Sequence, residues 1–165
     1  MAYIDNDVTA DVMDAQQEEK IRICLFSIGK DTYAIPVDVL TEIIIPQKIF
    51  PIPTAPSHVL GVINLRGNIV PIVDIRPALS LPQQSVPGQI AILKLRAMTL
   101  GIVVDNVSAV IPVPESSIRT LPDDAAEKQT TNAYRARILK GIIQRDEGVA
   151  ALLDIDRVFD EIKLA

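Results

Sequence analysis

Four aspartates are the residues of this sequence best placed to supply acid–base chemistry, because each of them ends an apolar stretch. They are Asp38, Asp74, Asp105 and Asp154. A general acid and a general base must converge in one cleft with their pKa values driven apart. These aspartates instead recur at equivalent places of an internal repeat, where aspartate commonly ends a turn or caps a helix. The pattern favours structural carboxylates, and a small hydrolase using Asp74 and Asp154 is the weaker alternative.

Other nucleophiles and metal ligands are few. His58 is the single histidine, and although Ser57 precedes it, the glycine pattern that exposes a catalytic serine is absent from the sequence. One histidine and one cysteine, Cys24, leave only scattered carboxylates for a metal. No glycine-rich phosphate-binding loop occurs either. The sequence therefore predicts a protein that is not an enzyme and that needs no metal or other cofactor.

Arg66 has the most unusual setting of any basic residue in the chain. It lies in the segment "NLRGNIVPIVDIRPAL" (64–79), beside Gly67 and between two hydrophobic stretches. A guanidinium there could serve a catalyst, anchor a phosphate or contact another protein. Since the catalytic and phosphate-binding motifs are missing, a protein contact is the favoured interpretation, and a solvated turn arginine is the alternative.

Composition and charge narrow the class of protein. The 165 residues are 48% hydrophobic but only 4% aromatic, so the core must be aliphatic, which favours strands. Residues 1–20 include six acids near the start and are expected to be a disordered tail, while the rest of the chain is close to neutral. No basic stripe suggests nucleic acid, and no apolar run is long enough for membrane insertion. The lone Cys24, within "IRICLFSI", predicts a buried thiol and a reducing cytoplasm.

The chain contains two copies of one pattern. Residues 23–44 align with 90–111 at a constant offset of 67, and residues 61–75 align with 141–155 at an offset of 80. Each copy contains five short apolar stretches broken by turn residues, which are typical of strands. The predicted strands are 21–28, 32–36, 42–45, 60–64 and 68–73, then 89–95, 100–104, 109–113, 139–144 and 149–153. Five short strands are most economically arranged as a small closed barrel, which leaves no exposed edge.

The resulting fold class is mainly β, with two tandem five-stranded barrels from an internal duplication and a C-terminal amphipathic helix. The predicted divisions are the tail at 1–20, a first barrel at 21–80, a linker at 81–88 and a second barrel with the helix at 89–165. In the last of these, Ile155, Val158, Phe159 and Ile162 recur at helical spacing after Asp154, which can cap the helix.

Four segments together resemble the CheW-like coupling proteins of bacterial chemotaxis. They are "FSIGKDTYAIPVDVLTEII", "GVINLRGNIVPIVDIRPAL", "LGIVVDNVSAV" and "ALLDIDRVFDEI", and the resemblance extends over residues 21–164. The resemblance implies two SH3-like barrels forming one CheW-like domain. It also implies a cytoplasmic adaptor, without catalysis, that joins the regulatory domain of a CheA-type histidine kinase to the helical tip of membrane-bound chemoreceptors in arrays. A type IV pilus or other chemosensory-like pathway using the same fold is the alternative.

The resemblance also suggests site residues. It implies that Arg66 is held by Glu42 and presented at a protein interface by the turn at Gly67. The expected receptor-binding groove consists of Leu40, Glu42, Ile43, Arg66, Gly101, Val107 and Val110. The expected kinase-binding residues are Gly61, Asn64, Leu65 and Gly67. Because Arg145 and Asp146 lie near the equivalent turn of the second copy, the two barrels are expected to have different tasks.

Overall fold

The computed structural model describes residues 19–82, 88–120 and 138–161. Most of the predicted tail and linker, and Ile162 of the predicted helix, lie outside these residues. These residues form eleven strands: β1 (Lys20–Ile28), β2 (Asp31–Pro36), β3 (Leu40–Ile44), β4 (Val59–Leu65), β5 (Asn68–Val73), β6 (Gln89–Leu95), β7 (Met98–Val104), β8 (Asn106–Pro114), β9 (Ile118–Thr120), β10 (Leu139–Arg145) and β11 (Gly148–Leu153). One helix follows, α1 (Ile155–Glu161). The prediction of a mainly β protein with a C-terminal helix is confirmed.

The strands form two sheets, each of which curves around its own apolar interior. One sheet has the order β8-β1-β2-β11-β10-β9, and the other has the order β3-β6-β7-β5-β4. We call them the six-stranded barrel and the five-stranded barrel. In each barrel the neighbouring strands are antiparallel except for one parallel pair, which is β2 with β11 in the six-stranded barrel and β5 with β7 in the five-stranded barrel. The predicted pair of small barrels is present, with the three-residue strand β9 as an addition.

The barrels do not follow the order of the two sequence copies, which corrects the expectation of one barrel from 21–80 and another from 89–165. The hairpin β1–β2 of the first copy belongs to the six-stranded barrel, and the hairpin β6–β7 of the second copy belongs to the five-stranded one. The segments that connect one barrel to the other are short. Val37–Val39 form a 3-10 turn between β2 and β3, and Asp105 alone separates β7 from β8. The sequence did not reveal this exchange because β1 and β6 are equivalent strands with the same apolar pattern.

Three clusters of buried side chains explain why the exchange is stable. Among the described residues, seven buried side chains fill the six-stranded barrel and six fill the five-stranded barrel. A third cluster, with 19 buried members, lies between them, and we call it the inter-barrel core. Strand β1 contributes to two clusters by alternation, with Ile23 and Leu25 inside the barrel and Cys24 and Phe26 in the inter-barrel core. The exchanged hairpins are therefore buried on both faces, which accounts for their continuous hydrophobic runs.

Helix α1 begins as its sequence predicts. The Oδ1 of Asp154 accepts a hydrogen bond from the backbone N–H of Arg157 at 3.2 Å, which is an N-cap contact. On the apolar stripe, Ile155, Val158 and Phe159 are all buried in the inter-barrel core. Within the described ranges, no helix has the length and hydropathy of a membrane span.

We expect Cys24 to be protected from thiol reagents in the native protein. It is buried in the inter-barrel core, and burial raises the pKa of its thiol, so little reactive thiolate is present at neutral pH. Reaction with Ellman's reagent should be slow in buffer and fast in guanidinium chloride. A cysteine placed at exposed position 68, in a Cys24→Ala background, is the control and should react at once in both. Rapid reaction of native Cys24 would show that the inter-barrel core opens readily.

Candidate functional site

The β4–β5 turn holds Arg66 in a defined position. Leu65 and Asn68 pair across the hairpin, which leaves Arg66 and Gly67 as the two turn residues, with φ of 51° and 87°. Two successive positive φ values characterise the two-residue turn that suits the twist of a hairpin, and glycine is favoured there because it has no Cβ. The side chain of Asn64 supports the turn, since its Oδ1 accepts a hydrogen bond from the N–H of Gly67 at 2.8 Å.

Arg66 is paired with Glu42, as the resemblance implied. A guanidinium nitrogen of Arg66 donates to a carboxylate oxygen of Glu42, which lies on β3. Strands β3 and β4 are the two edges of the five-stranded sheet, so the pair spans the edges at one end of the barrel. The arginine side chain is still 71% exposed and that of Glu42 is 29% exposed. The pair therefore fixes a charged group that remains accessible to a partner.

A depression of about 500 Å³ surrounds this pair at the end of the five-stranded barrel. Lys94 and Ile69 also line it, and Ile69 is one of the exposed large hydrophobic residues of the protein. An exposed apolar side chain with an arginine beside it and other polar groups around it is the arrangement expected of a protein contact, which has an apolar centre and a polar rim. Ile69 was not predicted from the sequence, and its equivalent at the offset of 80, Val149, is likewise exposed at the end of the other barrel.

Four of the expected groove residues share the side of the molecule that faces the inter-barrel core. On β3, Leu40 lies opposite Leu93 and Ile43 opposite Ala91, and both partners belong to that core. On β8, Val107 lies opposite Phe26 and Val110 opposite Cys24, which belong to the same core. Since side chains directly opposite in a sheet point to the same face, all four are directed toward the junction of the barrels. Val110 remains 43% exposed there.

Gly101 does not belong to this groove, which corrects the sequence-based expectation. It is buried on β7, and a Cβ at this position would lie 2.6 Å from the Cδ1 of Ile72 and 2.9 Å from the Cγ2 of Ile90. Both isoleucines belong to the interior of the five-stranded barrel. Glycine is needed at this position because there is no space for a side chain.

The expected kinase-binding residues separate into buried and exposed positions. Gly61 is buried, and a Cβ there would lie 2.2 Å from the carbonyl oxygen of Phe50, whose backbone exchanges two hydrogen bonds with Val62. Gly61 therefore permits a close approach of two backbones and is not a surface residue. Leu65 is half-buried and packs on the interior of the five-stranded barrel, whereas Asn64 and Gly67 are exposed in the turn.

Three of the four aspartates have structural roles, whereas Asp38 is exposed in the 3-10 turn Val37–Val39. Asp74 is buried and forms an ion pair with buried Arg76, at 3.5 Å between Oδ1 and Nη1. Asp105 is also paired with Arg76, and Asp154 caps α1. No group of three or more histidine, cysteine or acidic side chains in the described parts of the chain is arranged to hold a metal ion.

Comparisons with known proteins agree on one family. The model of the CheW-like domain matches residues 22–163. The chain is 27% identical to the chemotaxis protein CheW of Treponema pallidum, with 91% of this chain and 88% of the relative covered. It is 30% identical to the chemotaxis protein CheW of Klebsiella aerogenes, with 86% and 82% covered. The crystal structure of the scaffolding protein TtCheW from Thermoanaerobacter tengcongensis is similar with a TM-score of 0.72 at 26% identity, covering 82% of this chain and 90% of that one.

We expect the Glu42–Arg66 pair to contribute little to stability. Both partners are solvated, and exposed ion pairs typically contribute about 0–1 kcal/mol. A double-mutant cycle of Glu42→Ala, Arg66→Ala and the double variant, followed by urea unfolding, measures the coupling. A coupling well above about 2 kcal/mol would instead make the pair a structural closure of the five-stranded barrel.

Proposed function

Because the chain belongs to the CheW-like family, we propose that it joins the cytoplasmic helical tip of chemoreceptors to a CheA-type histidine kinase. Its general role, that of a chemotaxis coupling adaptor, follows from the family. The particular partners, their surfaces and the location at receptor arrays in the cytoplasm are the parts proposed here. The observation that carries the proposal is the set of half-buried aliphatic residues that the edge strands of both barrels direct toward one junction.

A receptor helix would lie in the groove between β3 and β8. Leu40 and Ile43 would line one side of this proposed groove, and Val107 and Val110 would line the other. Aliphatic side chains on two walls suit an amphipathic helix, which inserts residues at i, i+3, i+4 and i+7. Rigid walls favour such docking because less conformational freedom is lost on binding. The strand pairs β3–β6 and β1–β8 provide that rigidity through their hydrogen-bonded registers.

The kinase would bind at the end of the five-stranded barrel. Glu42 and Arg66 were expected in the receptor groove, but we assign them to this surface because Glu42 lies opposite Ile92, a residue of the barrel interior and not of the inter-barrel core. Arg66 offers a guanidinium that can form two parallel hydrogen bonds to a carboxylate, and Glu42 orients it. Asn64, Gly67 and exposed Ile69 lie near it and would provide polar and apolar contact area, whereas half-buried Leu65 packs mainly on the barrel interior. This arrangement gives the kinase a surface separate from the groove. An adaptor with two separate surfaces can hold both partners at once.

We also propose that the protein catalyses no reaction. In support, Asp74 and Asp154, the carboxylates considered for a hydrolase, are occupied by an ion pair and by a helix cap. Neither role leaves the carboxylate available as one half of an acid–base pair.

Val110→Glu should weaken binding of a helical fragment of the receptor tip by about tenfold or more, because a charge would face the apolar groove. Isothermal titration calorimetry with the purified fragment measures the affinity. Val149→Glu is the matched control, since Val149 is also an exposed strand valine, at 56% exposure, but lies at the end of the other barrel. Equal affinities for the two variants would place the receptor elsewhere.

Arg66→Glu should abolish kinase activation in a reconstituted mixture of receptor, kinase and adaptor, while thermal unfolding stays within a few degrees of the unsubstituted chain. The charge reversal removes the proposed carboxylate contact and repels Glu42. Arg96→Glu is the control, because Arg96 is also exposed in a two-residue hairpin turn with positive φ and pairs with an acid, Asp156. Loss of activation in both variants, or a large loss of stability in Arg66→Glu, would contradict a specific role for Arg66.

A further inference from the structure

Arg76 is the largest fully buried side chain of the described residues, with only 2% of its surface exposed. A guanidinium cannot lose its proton in a protein, so burial requires compensating carboxylates. Two are present. The Oδ1 of Asp74 accepts from the backbone N–H of Arg76 at 2.9 Å and lies 3.5 Å from Nη1, and a second guanidinium nitrogen donates to Asp105.

The two carboxylates are attached to different parts of the fold. Asp74 is two residues from Arg76 and follows β5, so its contact is local to the five-stranded barrel. Asp105 is the single residue between β7 and β8, and two of its other hydrogen bonds are made with the six-stranded barrel. Its backbone N–H donates to the carbonyl oxygen of Ser27 at 2.9 Å, and its Oδ2 accepts from the N–H of Gly29 at 2.6 Å.

The contact between Arg76 and Asp105 therefore joins the two barrels through a buried, charged hydrogen bond. The inter-barrel core supplies most of the attraction between the barrels, but apolar contacts have little directionality and permit alternative packings. A guanidinium held by two carboxylates has a defined geometry and selects one arrangement. This ion pair is close in sequence to the proposed groove, because Val107, one of the residues assigned to the groove, follows Asp105 by two positions.

We propose that Arg76 is a positioning residue that sets the relative orientation of the two barrels and thereby the width of the groove between β3 and β8. The part of this proposal that concerns orientation depends only on the contacts above. The part that concerns receptor binding rests on the function proposed for the groove. Arg76 itself is buried, so its proposed effect on the receptor is indirect and requires no contact with the receptor or the kinase.

Asp105→Asn tests the proposal, because it keeps the size of the side chain but removes the charge that joins the barrels. Asp74→Asn is the matched control, since it removes a carboxylate from the same arginine without touching the six-stranded barrel. Spin labels are attached to cysteines introduced by Asn68→Cys and Glu147→Cys, at exposed positions, in a Cys24→Ala background. Double electron–electron resonance then measures the distance between the ends of the two barrels. Thermal unfolding is measured for each variant.

We expect one narrow distance distribution for the parent chain and for Asp74→Asn, and a broad or shifted one for Asp105→Asn. The receptor-tip fragment should bind Asp105→Asn about tenfold more weakly than Asp74→Asn. If Asp105→Asn does not fold, Arg76→Lys replaces it, because a single ammonium cannot reproduce the two-carboxylate geometry. Its distances should broaden in the same way.

The outcomes separate the two proposals. Unchanged label distances in Asp105→Asn, or equal broadening in Asp74→Asn, would overturn the positioning role whatever the fragment does. Altered distances with unchanged fragment affinity would overturn the link between orientation and groove width. Failure of the fragment to bind even the parent chain would contradict the function proposed for the groove, and the label distances would still decide the role of Arg76.

Discussion

The exchanged hairpins are buried on both faces, and this burial holds the two barrels together. One face of β1–β2 and of β6–β7 fills a barrel, and the other fills the inter-barrel core, which holds more buried side chains than the two interiors together. Each fully buried aliphatic side chain contributes about 1.5–3 kcal/mol through removal from water. Among the described residues, the contact between the barrels is thus the main part of the hydrophobic core, and the strands β3 and β8 proposed to bind the receptor are each paired to a strand that contributes to it.

Two arginines ten residues apart show how burial decides the role of one residue type. Arg66 pairs with Glu42 in a solvated turn, where the pair adds little to stability and the guanidinium stays accessible. Arg76 pairs with Asp74 and Asp105 inside the protein, where loss of the guanidinium would leave the buried carboxylate of Asp74 without its counter-charge. We therefore propose recognition as the role of the exposed pair and the arrangement of the barrels as the role of the buried one.

The two sequence copies agree more closely in the burial of their residues than in the charge of their side chains. Residues 61–70 and 141–150 have the same burial class at every position, including the exposed aliphatic residues Ile69 and Val149. The charges differ, since Arg66 of the first turn corresponds to Asp146 of the second. Two hairpin turns with similar burial but opposite charge at equivalent positions favour different binding partners, because complementary charge selects among surfaces of similar shape.

Patterns within the sequence were enough to predict the family, the helix and every described strand except β9. Local apolar periodicity, turn residues and Asp154 specify these elements through contacts between near neighbours, and the repeat indicated that they recur. The barrel to which each hairpin belongs, and the packing roles of Gly61 and Gly101, depend on contacts between distant parts of the chain. Equivalent strands carry the same pattern, so no local signal distinguishes their partners. The burial of Arg76 could not be predicted either, because its contact with Asp105 joins residues that are 29 positions apart in the sequence.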